Sequence, residues 1–177
     1  MIVTSRAPVR IDFAGGWTDV DAFAVGAGGA VVSATIDRYV TGSLSTGEDG
    51  AIAVSYQSDL PTGSGLGTSA ALNVVWLSLV KSQIAEEGDR TAIAELAYGI
   101  ERTLGILGGR QDQYASALGG FNFFTFGKEV GVEPLELRPE RIAALESRLV
   151  LCYTGVSRVS GAIHEEVWDA FRAGDRN

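Results

Sequence analysis

Short β-prone runs open the chain. Ile2 to Ala7 and Val9 to Ala14 are separated by Pro8 and ended by Gly15-Gly16, which predicts two strands meeting at a bend that carries Arg6 and Arg10. Past the polar stretch Trp17-Thr18-Asp19-Val20-Asp21, Gly26-Ala27-Gly28-Gly29 reads as a turn. Ala30 to Ile36 and Tyr39 to Leu44 read as strands flanking Asp37-Arg38, and Ala51 to Tyr56 as a further strand, so the opening of the chain predicts a β-meander. The pattern then changes period. Ser69 to Ala85 is apolar on almost every side, the mark of a central helix covered on more than one face. Thr91 to Thr103 carries Ile93, Leu96, Ala97 and Ile100, with Leu104 just beyond, at the spacing of an amphipathic helix. Gln111 to Leu118 predicts a short third helix stopped by Gly119-Gly120. Phe121 to Phe126 and Val130 to Leu137 predict a hairpin around Gly127-Lys128, with Phe121, Phe123, Phe124 and Phe126 as strand core. Pro139 to Leu145 reads as a helix with Pro at its opening, Arg148 to Tyr153 as another strand, and Ala162 to Ala173 as a last helix.

A chain of 177 residues allows one sizeable core and a fragment of a second domain. Hydrophobic residues at 46% and charged residues at 20% are ordinary for a soluble globular protein, and 23 glycines imply many tight turns. The net charge of -8, with no basic stripe, argues against nucleic acid or an anionic membrane as partner, so an anionic ligand would have to be met by local donors. Cys152 is the one cysteine, which leaves no internal disulfide and no cysteine metal cluster, and its apolar run Leu149 to Tyr153 predicts a buried strand thiol. His164, the one histidine, reads as a surface helix residue. The N-terminus lacks a charged region followed by a long apolar one, and Asn73, Ser78, Lys81 and Ser82 interrupt the most apolar helix, so the expectation is a cytoplasmic protein.

Chemistry concentrates in Pro61-Thr62-Gly63-Ser64-Gly65-Leu66-Gly67-Thr68-Ser69-Ala70-Ala71, where alternating glycines run into the apolar helix. Glycine there lets the backbone approach a ligand closely through positive φ with its N–H groups turned inward, and Thr68 or Ser69 is placed to cap the helix. A helix N-terminus adds partial positive charge, so loop and helix together predict a phosphate cradle. No Lys precedes the Ser/Thr pair until Lys81 further on, which sets the stretch apart from a Walker A loop. A glycine-rich turn that merely starts a buried helix is the plainer alternative.

Three motifs in order decide between the two. Arg6-Ala7-Pro8-Val9-Arg10-Ile11-Asp12-Phe13-Ala14-Gly15-Gly16-Trp17-Thr18-Asp19, the Pro61 to Ala71 cradle, and Gly108-Gly109-Arg110-Gln111-Asp112-Gln113-Tyr114 resemble the GHMP small-molecule kinases, in wording nearest to the heptose 7-phosphate kinases among them. The resemblance implies an α/β (α+β) fold of the ribosomal-protein S5 domain 2-like type, a mixed sheet packed on helices. It implies ATP and Mg²⁺ as cofactors, with ATP over Pro61, Gly63, Ser64, Gly65, Leu66, Gly67, Thr68 and Ser69. By position Asp112 matches the carboxylate that takes the proton from the attacking hydroxyl, and Arg10 the basic residue beside it. Ser69 and Glu101 match the oxygen ligands that hold Mg²⁺, and Gly16, Trp17 and Asp19 the segment that touches the sugar. Residues 1–147 then form the N-terminal ATP-binding domain, and 148–177 the opening strand and helix of a C-terminal domain whose remainder is absent from the sequence.

The implied activity is ATP-dependent phosphoryl transfer to a hydroxyl of a sugar or sugar phosphate, with D-glycero-D-manno-heptose 7-phosphate favoured. The alternatives are a kinase for another sugar such as galactose or fucose, or a catalytically incomplete nucleotide- or sugar-binding module. Taken singly, Asp112 also fits a helix-start residue that serves the dipole, Arg10 an exposed strand residue, Asp19 a turn former and Glu101 a solvated helix charge. Trp17 fits a ring that stacks on sugar and one that shields the domain face equally well. A face left open by an absent C-terminal half is a candidate homodimer surface.

Overall fold

The longest strand is one that the sequence pattern divides. The computed structural model describes residues 2–61, 63–83, 89–106, 108–156 and 167–174. Within them β1 (Ile2–Ala14) and β2 (Gly29–Thr46) each run unbroken, where two strands apiece were expected. They pair antiparallel from Ile2↔Ser45 to Ala14↔Val32, and the register shifts between Pro8, opposite Tyr39, and Arg10, opposite Thr35. Proline has no N–H to give the ladder, and the extra β2 residues bulge out beside it, Asp37 and Arg38 among them. The bend is therefore a bulge that re-aims both strands without ending either.

β3 (Ile52–Ser58) pairs with the second half of β2 and β4 (Phe121–Phe126) with its first half, both on the edge away from β1, and β5 (Val130–Pro134) extends β4. The meander is present, β4 returns beside it, and each described pairing is antiparallel. A short helix that the sequence reading missed, α1 (Asp21–Ala27), precedes β2, because Gly26 and Gly28 near its end look like turn residues. The helices α2 (Thr68–Gln83) and α4 (Gln111–Leu118) pack against the sheet, and α3 (Arg90–Thr103) packs on both of them. Ala7, Val9, Val40 and Leu44 from the strands meet Ala71, Val75 and Leu79 of α2 in one cluster, and Val31, Phe124 and Phe126 meet Ala94, Tyr114 and Ala115 in another. Gly42 lets α2 lie close, since a Cβ there would come within 2.6 Å of Val75 Cγ1. Burial of these side chains is the main force that holds α4, and with it Asp112, over the sheet.

α5 (Pro139–Glu146) starts with Pro in its first turn, as expected, and buries none of its residues. The strand expected over Arg148 to Tyr153 is not formed: Leu149, Val150 and Leu151 are exposed, and so is Cys152, whose thiol was expected to be buried. That run pairs with none of the described strands. Residues 167–172 are helical, whereas the rest of the expected last helix, His164, Ser157-Arg158 and Thr62 of the cradle lie outside the described residues. No described helix is long and apolar enough to cross a membrane.

Candidate active site

Gly63, Gly65 and Gly67 take φ values of +73°, +78° and +76°, the left-handed region that favours glycine, so the loop turns through conformations a side chain would strain. Gly67, rather than Thr68 or Ser69, caps α2: its carbonyl accepts the first helical bond from Ala71 N–H at 3.0 Å. Thr68 instead shares a 3.1 Å hydroxyl contact with Ser64 across the loop, while Ser69 is exposed in the first turn. The first N–H groups of a helix lack intrahelical partners and point out of its end. Here they open onto the cradle.

Arg10 ties this loop to α4. Its backbone N–H donates to Leu66 O at 3.2 Å and its Nη1 to Gly65 O at 3.1 Å. Its Nε and Nη2 both reach Asp112 Oδ1, each at 2.7 Å. The second oxygen of Asp112 is thereby left toward the cradle, 3.3 Å from where a Cβ on Gly67 would stand. Asp12, two residues along the same strand face, lies 3.6 Å from Arg10 Nη1 and has one oxygen buried without a hydrogen-bond partner. Burial alone would weaken the Arg10 proton, but the fields of Asp112 and Asp12 outweigh it and raise the pKa further, so the guanidinium stays charged. Asp12 itself is pushed up, first by burial and against the pull of Arg10.

Asp19, expected to meet the sugar, is 1% exposed. Its Oδ2 accepts Gln111 N–H at 2.9 Å and its Oδ1 accepts Gln111 Nε2 at 3.3 Å. Burial, with the fields of Asp112 and Asp12 behind it, moves its pKa from 3.8 up to about 6 despite the bond from Gln111 N–H. Gly109 makes the room: a Cβ there would fall 1.7 Å from Asp19 Oδ2. Gly109→Ala is therefore expected to displace Asp19 and lower stability by about 2 kcal/mol, read as a drop in the urea midpoint at unchanged slope. An unchanged midpoint would show that the Asp19 seat is not confined.

Glu101, expected at the metal, is buried on α3, where Oε1 accepts from Asn73 Nδ2 at 3.0 Å and Oε2 from Gln113 Nε2 at 2.7 Å. Its pKa is raised, first by desolvation and then by Asp112, against those two amide bonds. It does not hydrogen-bond Ser69, and no described cation pairs with it. Gly16 is exposed, and Trp17 holds φ +74° at the head of the turn with its ring 6.2 Å from that of buried Trp168. Arg110 braces the start of α4, with Nη2 3.2 Å from Asp21 Oδ1 and Nη1 3.7 Å from Glu95 Oε1.

Cradle, Arg10 and Asp112 are thus in direct contact, Asp19 reaches Asp112 through Gln111, Glu101 reaches α4 through Gln113, and Pro61 is exposed at the loop's entrance. Sequence reasoning missed Asp12, Asn73, Gln111 and Gln113. Asp12 had a signal in its spacing of two from Arg10, Asn73 in being polar on an apolar helix, and the two glutamines in flanking Asp112 within the motif that carries the resemblance.

A glycine-lined loop at a helix N-terminus, facing a carboxylate held by a guanidinium, is an arrangement suited to holding an anion. Residues 31–120 match the family model described as GHMP kinases N terminal domain, and the chain belongs to that family. Its α+β fold is the one those kinases share. The D-glycero-alpha-D-manno-heptose 7-phosphate kinase of Campylobacter jejuni is 32% identical over 92% of this chain and 62% of its own length. The crystal structure of a D-glycero-D-manno-heptose 1-phosphate kinase from Bacteroides thetaiotaomicron superposes with a TM-score of 0.78 at 27% identity, over 83% of this chain and 64% of that one. The Lactococcus lactis galactokinase complexed with galactose, at TM-score 0.59 and 16% identity over 98% of this chain and 71% of that one, shares the fold alone. The chain spans just under two thirds of the two heptose-phosphate kinases.

Proposed function

We propose that the protein carries out ATP-dependent phosphoryl transfer to a hydroxyl of a sugar phosphate, with D-glycero-D-manno-heptose 7-phosphate as the favoured acceptor. The observation that carries the reading is Arg10, one side chain bonded at once to the cradle carbonyl of Gly65 and to Asp112. That link holds the free Asp112 oxygen beside the loop where the transferring phosphate would lie, so a hydroxyl between them could lose its proton as it attacks. Arg10 orients the Asp112 carboxylate through its two contacts to Oδ1 and offsets charge on the transferring group. Bound ATP supplies the phosphoryl group, and Mg²⁺ would neutralise its charge.

The cradle from Pro61 to Ser69 fits the phosphates, because Gly67 has no side chain to occupy the space beside Asp112 and the start of α2 brings its own N–H groups. Ser69 and Glu101 would offer a hard cation oxygen ligands: an exposed hydroxyl, and a carboxylate whose described partners are neutral amides and whose pKa is raised first by desolvation and then by Asp112. Gly16 and Trp17 form the turn offered to the acceptor, and a polar small molecule rather than nucleic acid or lipid agrees with the charge of -8. The match to the Campylobacter jejuni enzyme supports the heptose 7-phosphate over galactose, fucose or mevalonate.

The test is ATP turnover with Mg²⁺ against heptose 7-phosphate, free heptose, galactose, fucose and mevalonate. Turnover is expected with heptose 7-phosphate and at least about tenfold less with the others, the equivalent of one lost polar contact in the transition state. Preference for another sugar would overturn the acceptor. A second reading, a nucleotide- or sugar-binding module, rests on the same glycine loop used for binding without transfer. It predicts nucleotide binding with no turnover, even after the remainder of a relative's C-terminal portion is supplied in trans.

A further inference from the structure

We propose that Asp19 is a positioning residue that clamps the first turn of α4 beneath Asp112 and does not itself touch the acceptor. This rests on the reading of Asp112 as the proton acceptor. The residue directly before Asp112 is Gln111, and both of its donors, the backbone N–H and the side-chain amide, end on the two oxygens of Asp19. A first-turn N–H has no partner inside its own helix, and a carboxylate set against it satisfies the donor and complements the helix dipole. α4 lacks a side-chain cap of its own at Arg110, so Asp19 supplies from β1's following turn what the helix does not.

The seat of Asp19 is fixed by the fold rather than by a ligand. Thr18 Oγ1 donates to Gly15 O at 2.7 Å and accepts Ala30 N–H at 3.0 Å, which pins the turn to the start of β2. A Cβ on Gly29 would stand 2.0 Å from Thr18 O, and one on Gly109 1.7 Å from Asp19 Oδ2, so two glycines approach the turn closely. Asp112 is consequently held twice, by Arg10 on its side chain and by Asp19 on the main chain next to it. A carboxylate 99% covered, with Gln111 against both of its oxygens, is not presented to a sugar hydroxyl.

The clamp is also sensitive to protonation. The charged groups that face Asp19 are Arg10 and Asp12 on β1 and Asp112 on α4, while Asp21 on α1 and Arg110 before α4 pair with each other alongside. Ionised, Asp19 accepts two bonds; protonated, one oxygen becomes a donor facing a donor. The transition lies near the value of about 6 to which burial moves the group. Stability has the opposite sign: the native state binds this proton more tightly than the unfolded chain, so stability is full below 3.8 and is lost as pH rises through about 6.

The experiment compares wild type with Asp19→Asn and Asp19→Ala. Asp19→Asn is nearly isosteric, keeps an acceptor for Gln111 N–H, and can use the Gln111 Oε1 atom that is buried without a partner. With heptose 7-phosphate it is expected to lower kcat about tenfold with acceptor KM within about twofold, and Asp19→Ala to lower kcat about a hundredfold. The acid limb of kcat near pH 6 should be present in wild type and absent in Asp19→Asn. Amide hydrogen exchange at residues 111–114, measured without substrate, should speed up about tenfold in Asp19→Asn while β2 stays protected. A tenfold rise in acceptor KM at unchanged kcat would place Asp19 at the acceptor and overturn the proposal, as would unchanged α4 exchange in folded Asp19→Ala. If wild type turns over no acceptor, the exchange measurement still decides on the clamp, while the kinase reading alone falls.

Discussion

Asp112→Asn is expected to lower kcat by about 10²–10⁴-fold, the usual worth of a general base, while nucleotide affinity stays within about twofold. The amide keeps an oxygen for the Arg10 fork, so the helix start and the cradle hold their geometry. It removes only the capacity to take a proton at the oxygen facing Gly67. Steady-state kinetics and calorimetric titration with a non-hydrolysable ATP analogue separate the two effects. Equal turnover in the mutant would remove Asp112 as the base, and lost nucleotide binding would make it a cradle residue instead.

Arg10→Met is expected to act on both at once. The guanidinium joins β1, the carbonyl of Gly65 and Asp112, and it is the described cation nearest to both Asp12 and Asp112. Removing it leaves two neighbouring carboxylates without their counter-charge and frees the cradle from the strand. kcat should fall about 10³-fold and ATP affinity about tenfold, a double loss that Asp112→Asn does not show. Arg10→Lys should recover only part of it, because a point charge cannot make the two-nitrogen contact to Asp112 and the Gly65 contact together. Full recovery in Lys would mean that charge alone, and not the fork, is what the site uses.

How far the sequence carried these conclusions depends on the range of the interaction involved. The helices α2 to α4, the phenylalanine strand and the glycine-rich turn before α2 follow from local periodicity and turn chemistry, and the structure has them. The Arg10–Asp112 contact spans 102 positions in sequence and was reached through resemblance alone; no local pattern pairs them. Continuous β1 and β2 were not legible, because Pro8 and Asp37-Arg38 look like strand breaks until their bulge is seen across the sheet. Asp19 lies in a polar turn, yet its burial comes from Gly109 and Gln111, which arrive from the far end of the domain. Glu101 has the spacing of an amphipathic helix's edge, and only the fold sets Asn73 and Gln113 against its two oxygens. The apolar run Leu149 to Tyr153 misled for the converse reason: a local strand pattern does not specify a pairing partner, and the run pairs with no described strand.

The central claim is that the cradle, Arg10 and Asp112 together move a phosphoryl group onto a sugar hydroxyl. Phosphorus NMR of the protein mixed with ATP, Mg²⁺ and heptose 7-phosphate tests it most directly. The account expects a new phosphate ester on the heptose to grow in step with ADP, and to vanish in Asp112→Asn. ATP loss with only inorganic phosphate appearing, or the same ester formed at the same rate by Asp112→Asn, would contradict it.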